Sequence, residues 1–265
     1  MNLETMTIEK LDYGVHIVTI NNPPANTLNA GIQQDLLQLI EEVEKTPAIR
    51  AIVFKSANPK IFIAGADLGA MGSSDENVDF AESSKHVQDI FNRLEALRVP
   101  TIAAINGHAL GGGCEFVLAC DFRIMGAGTI GLTEASLGLL PGAGGTQRMT
   151  RLVGGAKARE LMYLSKRLKA EEAAAIGLIT EAVAPEELEE KAIIFANKLA
   201  QSAVGAIGLI KGSILAAEEL PLEQGLLVER EAFAKTFTTG EVNEGIRAFF
   251  EKRPPNFLSQ LQINK

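Results

Sequence analysis

A strand with no polar face that runs through three consecutive glycines into an apolar helix constrains this chain more than any other stretch. Thr101–Ile105 is apolar after its first residue, as a strand covered on both faces must be. Asn106-Gly107-His108-Ala109-Leu110 then leads into Gly111-Gly112-Gly113, and 114–120 reads as a buried helix. Consecutive glycines let another group approach the backbone closely. The first N–H groups of a helix lack an internal partner and sit at the positive end of its dipole. Two readings follow: tight packing of strand on helix, or a site for an anion or a developing oxyanion. Spacing alone leaves both open.

The surroundings of this stretch alternate strand and helix. Val15–Ile20 is β-branched and stops at Asn21-Asn22-Pro23-Pro24. Ile32, Leu36, Leu39, Ile40 and Val43 repeat at helical spacing up to Pro47, and 49–54 reads as a buried strand. A short strand at 61–63 runs into the small-residue turn Ala64-Gly65-Ala66-Asp67. The polar segment 72–86 is expected to be a loop or a helix start. Val87, Ile90, Phe91, Leu94 and Leu97 continue the helix to Pro100. Such alternation is that of an α/β protein. From about residue 156 onward the pattern is helical, at 156–165, 170–176, 186–200, 203–217, 222–236 and 241–252.

Composition excludes several classes. With 25 Lys and Arg against 33 Asp and Glu in 265 residues, the net charge is −8, and no basic stripe is present to neutralise nucleic-acid phosphates. No run of about 18 apolar residues could span a membrane. Residues 1–10 resemble neither a secretory signal nor an Arg-rich transit peptide. Two cysteines, Cys114 and Cys120, make no disulfide framework and read as small core residues. A cytoplasmic protein that binds neither nucleic acid nor membrane is the expectation.

Two further features carry chemistry. The turn at 64–67 could supply a second N–H donor beside the glycine turn, and two converging donors are what an enolate oxygen requires. Glu115, just inside the helix, and Glu134, 19 residues later, are two carboxylates that could divide acid and base work if held at one site; a solvated loop is the plainer reading of Glu134. Gly126-Ala127-Gly128-Thr129-Ile130-Gly131 fits a dinucleotide fingerprint by spacing, but Gly138 and Pro141 break the helix it needs and Arg151 stands where an acid belongs. His16, His86 and His108 are scattered, and no metal-ligand set is evident.

In combination, Ile61-Phe62-Ile63-Ala64-Gly65-Ala66-Asp67-Leu68, Ala103-Ala104-Ile105-Asn106-Gly107-His108-Ala109-Leu110-Gly111-Gly112-Gly113-Cys114-Glu115 and Leu139-Leu140-Pro141-Gly142-Ala143-Gly144-Gly145-Thr146-Gln147-Arg148 resemble the crotonase (enoyl-CoA hydratase/isomerase) superfamily. So does Gly245-Ile246-Arg247-Ala248-Phe249-Phe250-Glu251-Lys252-Arg253 near the C-terminus. The resemblance implies an α/β fold: a crotonase-like spiral of ββα units over 1–199 that binds acyl-CoA and carries catalysis, then a helical oligomerisation region over 200–265. A homo-oligomer, a trimer or a dimer of trimers, is implied with it.

By position, the resemblance implies an oxyanion hole from the N–H groups of Ala66 and Gly112, with Glu115 and Glu134 as the hydratase glutamates. It makes Glu115 the base and Glu134 the acid, and Gly142 N–H a support for the water. Ala64, Asp67 and Leu68 would line the CoA, while Phe249 and Lys252 would reach the nucleotide of a neighbouring subunit's ligand. The implied activity is hydration of a trans-2-enoyl-CoA to a 3-hydroxyacyl-CoA, with no cofactor beyond the coenzyme A of the substrate and no metal. Methylglutaconyl-CoA hydratase, isomerase, hydrolase and decarboxylase are alternatives on the same fold, and an RNA- or protein-recruiting module is the non-enzymatic one. Acyl length and pathway, fatty-acid β-oxidation or amino-acid breakdown, stay open.

Overall fold

The computed structural model describes residues 1–67, 69 and 79–262. Its core is built around strands that are largely buried on both faces. β2 (Val15–Ile20), β3 (Ala51–Ser56), β5 (Thr101–Ile105), β7 (Phe122–Met125) and β9 (Glu181–Ala182) run parallel in one sheet. β1 (Met6–Lys10) closes its edge antiparallel to β2. β4 (Ile61–Ile63), β6 (His108–Leu110) and β8 (Ile130–Gly131) form a second, three-stranded parallel sheet.

The two sheets are filled in turn. Each of three successive chain segments gives one strand to the large sheet, the next to the small sheet, and then a helix or helical turn. These are the ββα units of a spiral. Backbone bonds stack successive turns: His108 N–H donates to Lys60 O and Ala109 N–H to Thr129 O, both at 2.9 Å.

Helices cover both faces. α1 (Ala30–Lys45) starts at Asn29, whose side chain accepts from Ile32 N–H, and buries the predicted stripe Ile32, Leu36, Leu39, Ile40 and Val43. α2 (Phe80–Glu95) begins at Asp79, which caps Ala81 and Glu82 N–H. Of the polar segment 72–86, residues 80–86 therefore belong to this helix, and 72–78 lie outside the described residues. α3 (Gly112–Leu118) is wholly buried. Its Phe116 ring sits edge-on to Phe54 and Phe91, with centroids 5.1 and 5.9 Å away, and this packing pins the helix.

α4 (Gly145–Val153), α5 (Gly155–Tyr163) and α6 (Ala170–Ala175) follow, and α7 (Leu188–Ala200) lays Ala192, Ala196 and Ala200 on the large sheet. α8 (Val204–Glu219), α9 (Leu222–Thr236) and α10 (Glu241–Glu251) extend beyond it. The buried Arg50 ties the start of this extension to the sheet by donating to Ala200 O and Ser202 O. Lys211 pairs with Asp121 at 2.8 Å. Among the described residues no single helix is long and apolar enough to cross a membrane.

Candidate active site

The residues of interest leave the carboxyl ends of the three short strands, which is why distant positions in the sequence converge. Ile63 of β4 pairs with Ala109 of β6, and Leu110 pairs with Gly131 of β8. The chain after β4 is Ala64–Ala66, that after β6 is Gly111–Gly113, and that after β8 carries Glu134. Glu115 and Glu134, 19 positions apart, are thereby hung from neighbouring parallel strands.

Gly113 locks the first two segments together. A Cβ there would lie 2.1 Å from the carbonyl oxygen of Ile63, so only glycine lets α3 start directly against β4. Gly112 faces the other way: a Cβ on it would meet Leu28 Cδ1 at 2.8 Å and Ala66 N at 3.4 Å. The Ala66 and Gly112 amides thus lie close together. Among the described residues no hydrogen bond of the chain uses either N–H, whereas Leu28 N–H takes the neighbouring Gly65 O at 2.9 Å. Two unbonded amides this close, with the Leu28 side chain as an apolar wall, can stabilise negative charge on an oxygen.

Glu134 stands at this glycine turn, and Glu115 lies within electrostatic reach of Glu134. Glu134 Oε1 is 3.1 Å from where a Cβ of Gly111 would be, and its Oε2 is buried without a hydrogen-bond partner. Burial pushes its pKa up, against the opposing pull of its own and Thr133's backbone N–H groups. Glu115 is only 3% exposed. Its Oε1 accepts from Ala143 N–H at 2.7 Å and Gly145 N–H at 2.8 Å. Burial pushes this carboxyl up to about 7, reinforced by the charge of Glu134 and opposed by the two peptide donors and by Arg148. A carboxyl poised near neutrality in a closed site suits proton transfer.

α3 is held at its far end too. The buried Arg123 donates to Val117 O and Cys120 O at the helix C-terminus and to Leu178 O, a placement that also favours a cation by the helix dipole. Cys114 and Cys120 are free and buried, as small core residues are. The stretch 126–131 leads into β8 and then a 3-10 turn, not into a dinucleotide-binding helix.

Other expected positions are placed differently. Gly142 adjoins the pair: the next residue, Ala143, binds Glu115, and no bond of the chain among the described residues engages Gly142 N–H. Ala64 is exposed beside the amide pair, donating to Ala25 O, and Asp67 is half-buried with Gly69 N–H on its Oδ1. Leu68 lies outside the described residues. Phe249 is exposed on α10 and stacks edge-on with Phe250, and Lys252 ends the helix in the left-handed region. No hydrogen bond, ion pair or ring contact within the chain joins those two to the carboxyls among the described residues. His108 is exposed and bonded to Thr129. Sequence reading gave no roles to Ala143, Gly145, Ser84 and Gln88. The last two are the donors that hold Gly142 O, at 2.6 and 2.7 Å.

With this geometry established, comparison with known proteins is specific. A sequence model described as enoyl-CoA hydratase/isomerase matches residues 10–260. The chain is 38% identical over 258 residues to a short-chain-enoyl-CoA hydratase of Clostridium acetobutylicum, covering 96% of this chain and 97% of that one. It is 35% identical over 265 residues to a crotonyl-CoA hydratase of Syntrophomonas wolfei, covering 98% and 100%. Among solved structures, Pseudomonas aeruginosa DspI superposes with a TM-score of 0.90 at 38% identity, covering 97% of both chains.

Proposed function

The chain belongs to the enoyl-CoA hydratase/isomerase family, and on that premise we propose that it adds water across the C2=C3 bond of a short-chain trans-2-enoyl-CoA, using Glu115 and Glu134. The observation that carries this reading is the buried carboxyl of Glu115 and the half-buried carboxyl of Glu134 near two unbonded amides.

In the proposed reaction the thioester oxygen lies between Ala66 N–H and Gly112 N–H. Water adds to C3, the π electrons move toward the thioester, and the two amides stabilise the enolate oxygen. Glu115 takes a proton from the water, and Glu134 delivers one to C2 on the same face. Burial raises both carboxyls, Glu115 to about 7, so the division rests on hydrogen bonding. Two peptide donors support a charge on Glu115, while the partnerless Oε2 of Glu134 favours its protonated form. Close carboxyls titrate as a pair, and the working state carries one proton between them. After product leaves, solvent returns the proton from Glu115 to Glu134. Gly142 N–H supports the water. The scheme balances without metal or redox cofactor, because the amides carry the developing charge and coenzyme A belongs to the substrate.

The substrate's CoA is assigned to Ala64, Asp67 and Leu68, with Phe249 and Lys252 meeting the nucleotide of a neighbouring subunit's ligand. Homo-oligomeric assembly through the region after residue 200 is part of the proposal. It is supported by the exposure of Ile210, Leu222, Phe233, Phe237, Phe249 and Phe250, large apolar side chains of the kind that mark interaction surfaces. A cytoplasmic setting is supported by two cysteines that are both free.

The test is a substrate panel on purified protein: crotonyl-CoA, longer trans-2-enoyl-CoAs, methylglutaconyl-CoA and a 3-enoyl-CoA, with products identified by mass. Fastest turnover is expected on crotonyl-CoA, giving a product heavier by one water. Exclusive turnover of the branched substrate, or bond migration without gain of mass, would overturn the assignment.

A further inference from the structure

One side of α2 has no role in the core and lies on the loop that serves Glu115. The apolar side of the helix, Ile90, Phe91 and Leu94, is buried. The neighbouring stripe Ser84, Gln88, Asn92 and Glu95 follows helical spacing and is polar throughout. Ser84 Oγ and Gln88 Nε2 both donate to Gly142 O, at 2.6 and 2.7 Å, and Gln88 also donates to Ser84 Oγ at 3.1 Å. Lower on the stripe, Asn92 and Glu95 hold Arg148, whose Nη1 donates to Ala143 O at 3.2 Å.

The Gly142–Ala143 peptide therefore has both ends engaged. Its carbonyl takes two donors from α2, and its N–H donates to Glu115 Oε1 at 2.7 Å. A peptide whose carbonyl accepts strong hydrogen bonds is polarised into a stronger N–H donor. We propose that Ser84 and Gln88 are positioning residues for hydration, acting through the Gly142–Ala143 peptide to orient and stabilise the ionised carboxylate of Glu115. This rests on the reading of Glu115 as the base. Glu115 Oε1 takes two peptide donors, Ala143 N–H and Gly145 N–H; of these two peptides, the Gly142–Ala143 peptide has its carbonyl doubly held by α2, which makes it the relay.

The charged groups facing Glu115 are Glu134 on the 3-10 turn and Arg148 on α4, and neither is altered by changes on the upper part of α2. Removing the two donors should weaken Ala143 N–H as a donor and raise the pKa of Glu115. For Ser84→Ala/Gln88→Leu, the acidic limb of kcat should move up by about one pH unit. That lowers kcat about tenfold at pH values below the limb, while KM for crotonyl-CoA stays within about twofold. Ser84→Thr, which keeps the hydroxyl, should retain the wild-type profile. An unmoved limb, whether or not kcat falls, would overturn the proposal, since loop displacement alone lowers kcat at all pH values.

If the double variant does not fold, Gln88→Leu alone is read by the same profile. The Glu115 carboxyl is then also titrated directly by infrared difference against Glu115→Gln, with an unmoved titration again overturning the proposal. Failure of the underlying reading looks different: Glu115→Gln would itself keep hydrating crotonyl-CoA.

Discussion

Glu115→Gln should yield a protein that barely turns over yet is more stable than the wild type at pH 8. The carboxyl stands at about 7 in the fold against an ordinary 4.5, so its charged form is disfavoured by folding. At about 1.4 kcal/mol for each tenfold change in acidity, the difference is about 3 kcal/mol. The sign is fixed by the direction. A group whose pKa is raised on folding adds stability below its unfolded pKa, and that contribution is lost as pH rises through the folded value. Wild-type stability from this group is thus full below about pH 4.5 and gone above about pH 7.

Glutamine keeps an Oε1 that can accept from Ala143 and Gly145 N–H and never ionises. The variant should therefore gain up to about 3 kcal/mol over wild type at pH 8 and nothing near pH 4. Denaturant midpoints at the two pH values measure it. Turnover should fall by about 10²–10⁴, the usual contribution of a positioned general base. Equal stability of the two proteins at pH 8 would mean that the carboxyl is not held ionised against its surroundings.

Gly113→Ala should damage the site from behind without touching substrate. The new methyl would sit 2.1 Å from Ile63 O and 2.8 Å from Ile63 Cβ, so β4 and α3 must separate. Forcing one carbon into such packing costs about 1–3 kcal/mol. The shift is carried into Ala64–Ala66 on one side and Gly112 on the other, which spreads the two amides. Loss of a single oxyanion donor costs about 10²–10³ in kcat, and a comparable fall is expected here. The thermal midpoint and kcat on crotonyl-CoA are the measurements. A Gly113→Ala protein with wild-type kcat would show that the strand–helix contact does not set the amide geometry.

Gly113 and Gly112 also show how much the sequence could tell. The run Gly111-Gly112-Gly113 admits a packing reading and an anion-site reading; Gly113 serves the close approach, and Gly112 N–H has no hydrogen-bond partner in the chain among the described residues. Long, strongly patterned elements were legible, among them Val15–Ile20, Thr101–Ile105 and the stripe of α1. Others were not. β1 is half polar and lies at an edge, and β6 and β8 have three and two residues, too few to display a period.

The meeting of Glu115 with Glu134 is a matter of strand register, Leu110 opposite Gly131, and 19 residues of separation do not encode it. From sequence, only the resemblance to a family implies that pairing. Ser84 and Gln88 went unread because polar residues on a helix ordinarily face water. Only the position of Gly142 O gives them a partner.

The most direct measurement follows loss of the conjugated enoyl-thioester absorbance of crotonyl-CoA with wild type, Glu115→Gln and Glu134→Gln side by side. Rapid hydration by wild type and a loss of about 10²–10⁴ in each variant is the predicted result. Hydration that survives either substitution would contradict a reaction shared between the two carboxyls.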